Sequence, residues 1–180
     1  SINHVSKQLL DTGILQFGLF VENGITYPYR LRLEMISAYP QLLQNVVYRG
    51  VQSLAGVKPF DRLVSHSDAI PLASSLSLQT GISLVYSRGR GEIPVHDLVG
   101  AYDVGHPACL VVNTLTPEIE AFLSDAKRVG LDIHTILEFV SIGRMIDGID
   151  HRAIYTMKEL IHELRQLNLI TEELANNING

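Results

Sequence analysis

Asn113, Thr114 and Thr116 stand in a short polar turn between a continuous apolar run, ACLVV, and an amphipathic stretch that opens at Pro117. Strand, turn and helix in that order build nucleotide-binding sites, because a helix N-terminus presents free N–H groups and a positive dipole end to an anion. This turn holds neither glycine nor aspartate. Pro117 removes one N–H donor, and Glu118 and Glu120 bring negative charge to the same end. A carboxylate about 5 Å from a phosphate charge costs on the order of 3 kcal/mol at an effective dielectric of 20, roughly a hundredfold in affinity. Read without a ligand, Thr116, Pro117 and the two glutamates also make a good helix start, since acids in a first turn favour the dipole.

Two further places carry groups able to meet an anion. Ser65, His66 and Ser67 close an earlier apolar run with hydroxyl and imidazole donors, although Asp68 sits beside them. Arg88 and Arg90 lie in a Gly-containing segment, SRGRGEIPVHD, that has no lysine. They are either solvated or in contact with a ligand or a neighbouring subunit. His66, His96, His106, His134 and His151 show no tight ligand spacing, so no metal site is expected. SHSDAI has the residue types of a hydrolase triad without the flanking glycines of a nucleophile elbow. The single cysteine, Cys109, falls inside an apolar run and reads as core.

The elements that must position these residues alternate. LLQNVVYRGVQSL carries apolar residues at three- and four-residue steps, with Pro40 at its start and Gly56 at its end, and reads as a packed helix. DRLVSHS reads as a strand, followed by a small-residue helix with Asp68 as cap, Pro71 in its first turn and Gly81 as its stop. ISLVY, HPACLVVN and LDIHTILEFV read as further strands, and Ile119, Phe122, Leu123, Ala126 and Val129 form the stripe of the helix between the last two. Thr156 and Glu159 have capping-box spacing before a final helix. The pattern predicts an α/β fold: a twisted, mainly parallel sheet of about five strands flanked by helices. One domain over residues 1–180 is expected, with a hood segment at 1–40, an α/β core at 41–150 and C-terminal helices at 151–180.

The chain carries a net charge of −5 over 180 residues, 46% of them hydrophobic. That balance argues against a nucleic-acid or anionic-membrane partner, both of which need clustered Lys and Arg. No apolar segment approaches the roughly 18 residues of a membrane span, so a cytoplasmic protein is the expectation.

The order of pieces resembles the type I phosphoribosyltransferases, and within them the orotate phosphoribosyltransferases. LLDTGILQFGLFVENGITYPYRLRLEMISAYPQLL is similar to that family's N-terminal segment, with Arg32 in a run like its D-L-R element. VSHSDAIPLASSLSLQTGISLVYSRGRG resembles its pyrophosphate turn, helix and next strand; DLVGAYDVGHPACLVVNTLT sits where the family has IEG…G…VLVVDDVITTG. The resemblance implies a homodimer, a small phosphorylated or nucleotide-like ligand, and, if the chain is active, Mg2+ with phosphoribosyl pyrophosphate.

It also implies roles. Asn113 and Thr114 take the places of the two acids that hold the ribose hydroxyls; they can hydrogen-bond a diol but supply no charge. Ser65, His66 and Ser67 fall at the pyrophosphate turn, Thr116 at the 5′-phosphate turn, and Arg88 and Arg90 in the loop whose lysines the family brings to the pyrophosphate. Two functions follow. One is a phosphoribosyltransferase-like protein without ordinary transferase activity, kept as a ligand-binding, regulatory or assembly module in nucleotide metabolism. The other is a working transferase that joins ribose 5-phosphate to orotate or a related base.

Overall fold

The computed structural model describes residues 4–89, 97–100 and 105–179. Helix α1 (Val5–Asp11) is followed by a hairpin, β1 (Leu15–Glu22) and β2 (Ile25–Leu31), and a 3-10 turn at Leu33–Ala38. Then come α2 (Pro40–Ser53), β3 (Arg62–His66), α3 (Ile70–Thr80), β4 (Ser83–Ser87) and a two-residue β5 (Leu98–Val99). The second half holds β6 (Pro107–Val112), α4 (Pro117–Arg128), β7 (Asp132–Ser141), β8 (Asp150–Thr156), α5 (Met157–Gln166) and α6 (Glu172–Asn179).

The main sheet has six strands in the order β5-β4-β3-β6-β7-β8, parallel throughout except for β5 against β4. This is the expected α/β architecture with two additions. The strand DHRAIYT lies where C-terminal helices were expected, and it carries the sheet past residue 150. The N-terminal segment is a hairpin whose Asn23 and Gly24 both adopt left-handed φ, +51° and +77°. That pair of conformations is what a tight hairpin turn matching strand twist requires.

Helices cover both faces. One core joins α2, α3 and α5 to the sheet through Val46, Leu72, Leu76, Leu137 and Leu160. The other places Ile119, Phe122 and Ala126 of α4 against Val64, Leu110 and Ile136. Cys109 is fully buried, and burial pushes its thiol up to about 12, so it is an inert core residue at neutral pH.

Local signals are met where side chains reach backbone donors. Thr156 and Glu159 form the reciprocal capping box of α5, and Gly81 ends α3 in the left-handed region at φ +73°. Asp68 does not cap α3. The chain first makes a 3-10 turn at Ser67–Ala69, Ala69 becomes the N-cap, and no side-chain cap bond forms. Helix α2 also stops at Ser53, short of Gly56. No described helix is long and apolar enough to cross a membrane.

Candidate functional site

Strand order reverses between β3 and β6, because β4 lies on one side of β3 while β6 and β7 continue on the other. Ligands of open parallel sheets bind beyond the carboxyl ends of the strands at such a switch point. Ser65, His66 and Ser67 end β3 there, and Asn113, Thr114 and Thr116 end β6. Six of the eight residues singled out in the sequence are thus brought to the carboxyl ends of two adjacent strands. Arg88 follows β4 at its edge. Arg90 lies outside the described residues.

The β6–α4 turn is fastened on both sides. Asn113 Nδ2 donates to the carbonyl of Asp68 at 3.0 Å, linking it to the β3 turn. Toward β7, the Val140 N–H donates to the Asn113 carbonyl at 3.0 Å, and Thr114 Oγ1 donates to the Val140 carbonyl at 3.2 Å. The Leu115 N–H donates to Glu138 Oε2 at 3.0 Å. Thr116 caps α4, its Oγ1 accepting from the Ile119 N–H at 3.4 Å. The Glu120 N–H bonds the Thr116 carbonyl at 3.2 Å, and Pro117 has none to give. Of the N–H donors that an anion would find at this helix N-terminus, Pro117 supplies none and that of Ile119 is already engaged.

The acids of this end of the sheet are paired within the chain. His66 Nε2 lies 3.1 Å from Glu118 Oε1, and the imidazole stacks on Phe122 at 5.2 Å between centroids. The histidine side chain is buried and the glutamate side chain 71% exposed, so the carboxylate meets Nε2 from the solvent side. Arg144, in the β7–β8 connection, is held by Glu120 at 3.0 Å, and Arg88 by Asp97 at 2.6 Å. Three buried polar atoms in the crevice at these strand ends, Ser65 Oγ, His66 Nδ1 and Asn113 Oδ1, have no hydrogen-bond partner among the described residues. Such atoms in a folded protein are ordinarily met by water or ligand. Gly89 (φ +72°) passes over the crevice: a Cβ there would stand 3.6 Å from Ser67 Oγ and 3.7 Å from His66 Cε1. Ser67 itself holds the left-handed region at φ +51°, unusual for a residue with a side chain.

Sequence reasoning missed Glu138 and set His151 aside among the scattered histidines. Glu138 is only 2% exposed in the middle of an apolar strand. His151 Nδ1 faces its Oε1 at 3.8 Å from β8. Alternation within LDIHTILEFV places a carboxylate on the α4 face of the sheet, a signal for a buried polar group that the apolar run masks. Burial pushes the Glu138 carboxyl pKa up, opposed by the Leu115 N–H and by His151. Folding then favours the protonated form, whose stability contribution is fully present below the unfolded carboxyl's pKa and lost as pH rises through the folded one. The Glu138→Gln variant keeps an acceptor for Leu115 and lacks the charge. Its melting temperature relative to wild type is expected to rise between pH 4 and pH 8; a constant difference across that range would contradict the assignment.

Among the described residues no three His, Cys, Asp or Glu side chains are grouped to hold a metal ion. His134 bonds the Pro59 carbonyl and Thr135, and His106 pairs with Asp61, both far from the strand ends in register.

A five-stranded parallel sheet with a short antiparallel edge, an N-terminal hairpin and a switch point between β3 and β6 constitutes the type I phosphoribosyltransferase fold. UMP synthase of Leishmania donovani shares it with a TM-score of 0.84 at 23% identity, over 97% of this chain and 40% of that one. The orotate phosphoribosyltransferase of Aeropyrum pernix gives 0.73 at 16% identity, over 93% of this chain and 99% of its own. The adenine phosphoribosyltransferase of Thermoanaerobacter pseudethanolicus gives 0.60 at 12%, over 84% and 99%. The chain thus spans less than half of the Leishmania protein. No family model matches the chain, and no curated protein does.

Proposed function

We propose that this chain is a phosphoribosyltransferase-fold protein without ordinary transferase activity, retained as a ligand-binding, regulatory or assembly module of nucleotide metabolism. The observation that carries the reading is that, among the described residues, the strand-end arginines are held by the chain's own acids, Glu120 on Arg144 and Asp97 on Arg88, while Glu118 occupies the His66 imidazole. A transferase of this kind must draw a pyrophosphate leaving group onto positive charge and free N–H donors. Among the described residues a diphosphate would have to displace a carboxylate before it met Arg88 or Arg144, and Asn113 and Thr114 bring no charge to a metal or ribosyl centre. The phosphoribosyl pyrophosphate motif is accordingly read as degenerate.

What remains fits a neutral or weakly charged ligand. The unpartnered Ser65 Oγ, His66 Nδ1 and Asn113 Oδ1 offer hydrogen-bonding capacity in a buried crevice. A cytoplasmic homodimer belongs to the same reading; Leu19, Val21 and Ile25 leave apolar surface exposed on the hairpin, of the kind a partner subunit covers.

Titration calorimetry with phosphoribosyl pyrophosphate, with and without Mg2+, followed by orotate in the same cell, tests the reading. No heat of binding is expected at millimolar ligand. Tight Mg2+-dependent binding would show instead that Asn113, Thr114 and the arginines rebuild the site, and would favour the working transferase.

A further inference from the structure

The Glu138–His151 pair touches both connections that border the crevice. Glu138 Oε2 accepts the Leu115 N–H of the β6–α4 turn at 3.0 Å. On the other side, the Ile146 N–H donates to His151 Nε2 at 2.9 Å, while the Ile146 carbonyl oxygen lies 3.2 Å from the same nitrogen. Ile146 belongs to the β7–β8 connection that carries Arg144, and Arg144 is bound to Glu120 on α4. Both side chains of the pair are nearly sealed from solvent, 6% and 2% exposed.

Of the two Ile146 groups that meet Nε2, the N–H makes the shorter contact, which favours an unprotonated Nε2. Neutral His151 then carries its proton on Nδ1, which has no hydrogen-bond partner among the described residues and stands 3.8 Å from Glu138 Oε1. One added proton has two places to go. On His151 it binds Nε2 directly. On Glu138 it binds Oε1, because Oε2 is engaged with Leu115, and there it confronts the Nδ1–H; relief comes when Nδ1 gives up its proton and accepts, and Nε2 takes one. Both routes end with a proton on Nε2. That nitrogen then repels the Ile146 N–H and donates to the Ile146 carbonyl, already within reach.

We propose that Glu138 and His151 form a proton-operated latch between the two connections bordering the crevice: one proton taken up by the pair switches Ile146 from donating its N–H to accepting at its carbonyl. The inference goes beyond the proposed function and holds whether or not the crevice retains catalysis. The two side chains stand 3.8 Å apart in a nearly sealed site, close enough for a proton on one to change the proton affinity of the other.

Other charges on the packed elements have partners of their own. On α4, Glu118 is held by His66 and Glu120 by Arg144; on β8, Asp150 is held by Arg152. Asp147 of the connection is exposed, and Asp125, Lys127 and Arg128 occupy the far end of α4. On β7 itself His134 bonds Thr135 and Pro59, while Cys109 of β6 packs in the opposite core.

The test is nuclear magnetic resonance of the uniformly 15N-labelled full chain between pH 4 and pH 9. In wild type, the amide signals of Leu115 and Ile146 are expected to move with one common midpoint. The His151 ring is expected to show its proton on Nδ1 at high pH and to gain one on Nε2 through the same transition. In Glu138→Gln the Leu115 transition should vanish and the Ile146 midpoint should shift by at least half a pH unit, roughly a threefold change in proton affinity. Separate midpoints for Leu115 and Ile146, or a proton on Nε2 at high pH, would overturn the latch. The ring measurement needs no variant, so a poorly folding substitution does not shield the proposal.

Discussion

Replacing Glu118 and Glu120 together by alanine is expected to turn undetectable pyrophosphate binding into measurable binding, at least tenfold tighter than wild type. Each carboxylate acts twice. It places negative charge at the N-terminus of α4, where the dipole would otherwise favour an anion, and it occupies a nitrogen partner, the His66 imidazole or the Arg144 guanidinium. The Coulomb estimate for one carboxylate near a phosphate, on the order of 3 kcal/mol at an effective dielectric of 20, would give a hundredfold. Glu118 is largely exposed and Glu120 about half so, and salt screens such charges, which brings the expected gain down to roughly tenfold. Pro117 and the engaged N–H groups still limit the final affinity. Calorimetry with inorganic pyrophosphate at low salt reads the change. Equal, absent binding in both proteins would mean that the acids are not what closes the site.

The largest stability effect is expected at Phe122→Ala. Phe122 is 2% exposed, bridges α4 to the sheet and carries the His66 ring on its face. Truncating a buried phenylalanine costs about 3–5 kcal/mol, through lost burial and the cavity left behind. In a chain of this size that corresponds to a fall in melting temperature of roughly 10 °C. Because the ring also seats His66, the His66 Cε1–H resonance should move in the same variant. A loss below about 1 kcal/mol, or an unmoved His66 signal, would contradict the packing that ties α4 to the β3 turn.

These two variants sit at places the sequence made legible to different degrees. The Phe122 stripe, the Thr116 cap and Pro117 are local signals: three- and four-residue periodicity, a hydroxyl three residues before its N–H, and a ring with no N–H to lose. They predicted α4 in place. Alternation of apolar strands with helices was enough for the parallel sheet. DHRAIYT was not legible as a strand, since its flanking charges hide the apolar run and its pairing comes entirely from β7. The hairpin had its signal in Asn23-Gly24, flanked by alternating residues, and went unread as strands.

The site divides in the same way. Residue types and order brought Ser65–Ser67 and Asn113–Thr116 together, because the strand ends of a parallel sheet gather by topology. Asp68, expected as a cap, serves through its backbone carbonyl instead, as the 3-10 turn moves the helix start past it. Glu118 was legible as misplaced acid, but its grip on His66 was not: 52 residues separate them, and only the β3–β6 pairing makes them neighbours. Glu138 and His151 belong to the same class of contact, set by strand register and silent in local pattern.

The central claim, that this fold persists here without the transfer reaction, is tested most directly by pyrophosphate release. The purified chain would be incubated with phosphoribosyl pyrophosphate, Mg2+ and orotate, and released pyrophosphate measured against a protein-free control and a working orotate phosphoribosyltransferase. Release at the protein-free rate is expected. Sustained release matched one-for-one by loss of orotate would contradict it, and would assign ribose and pyrophosphate binding to Asn113, Thr114, Arg88 and Arg90 after all.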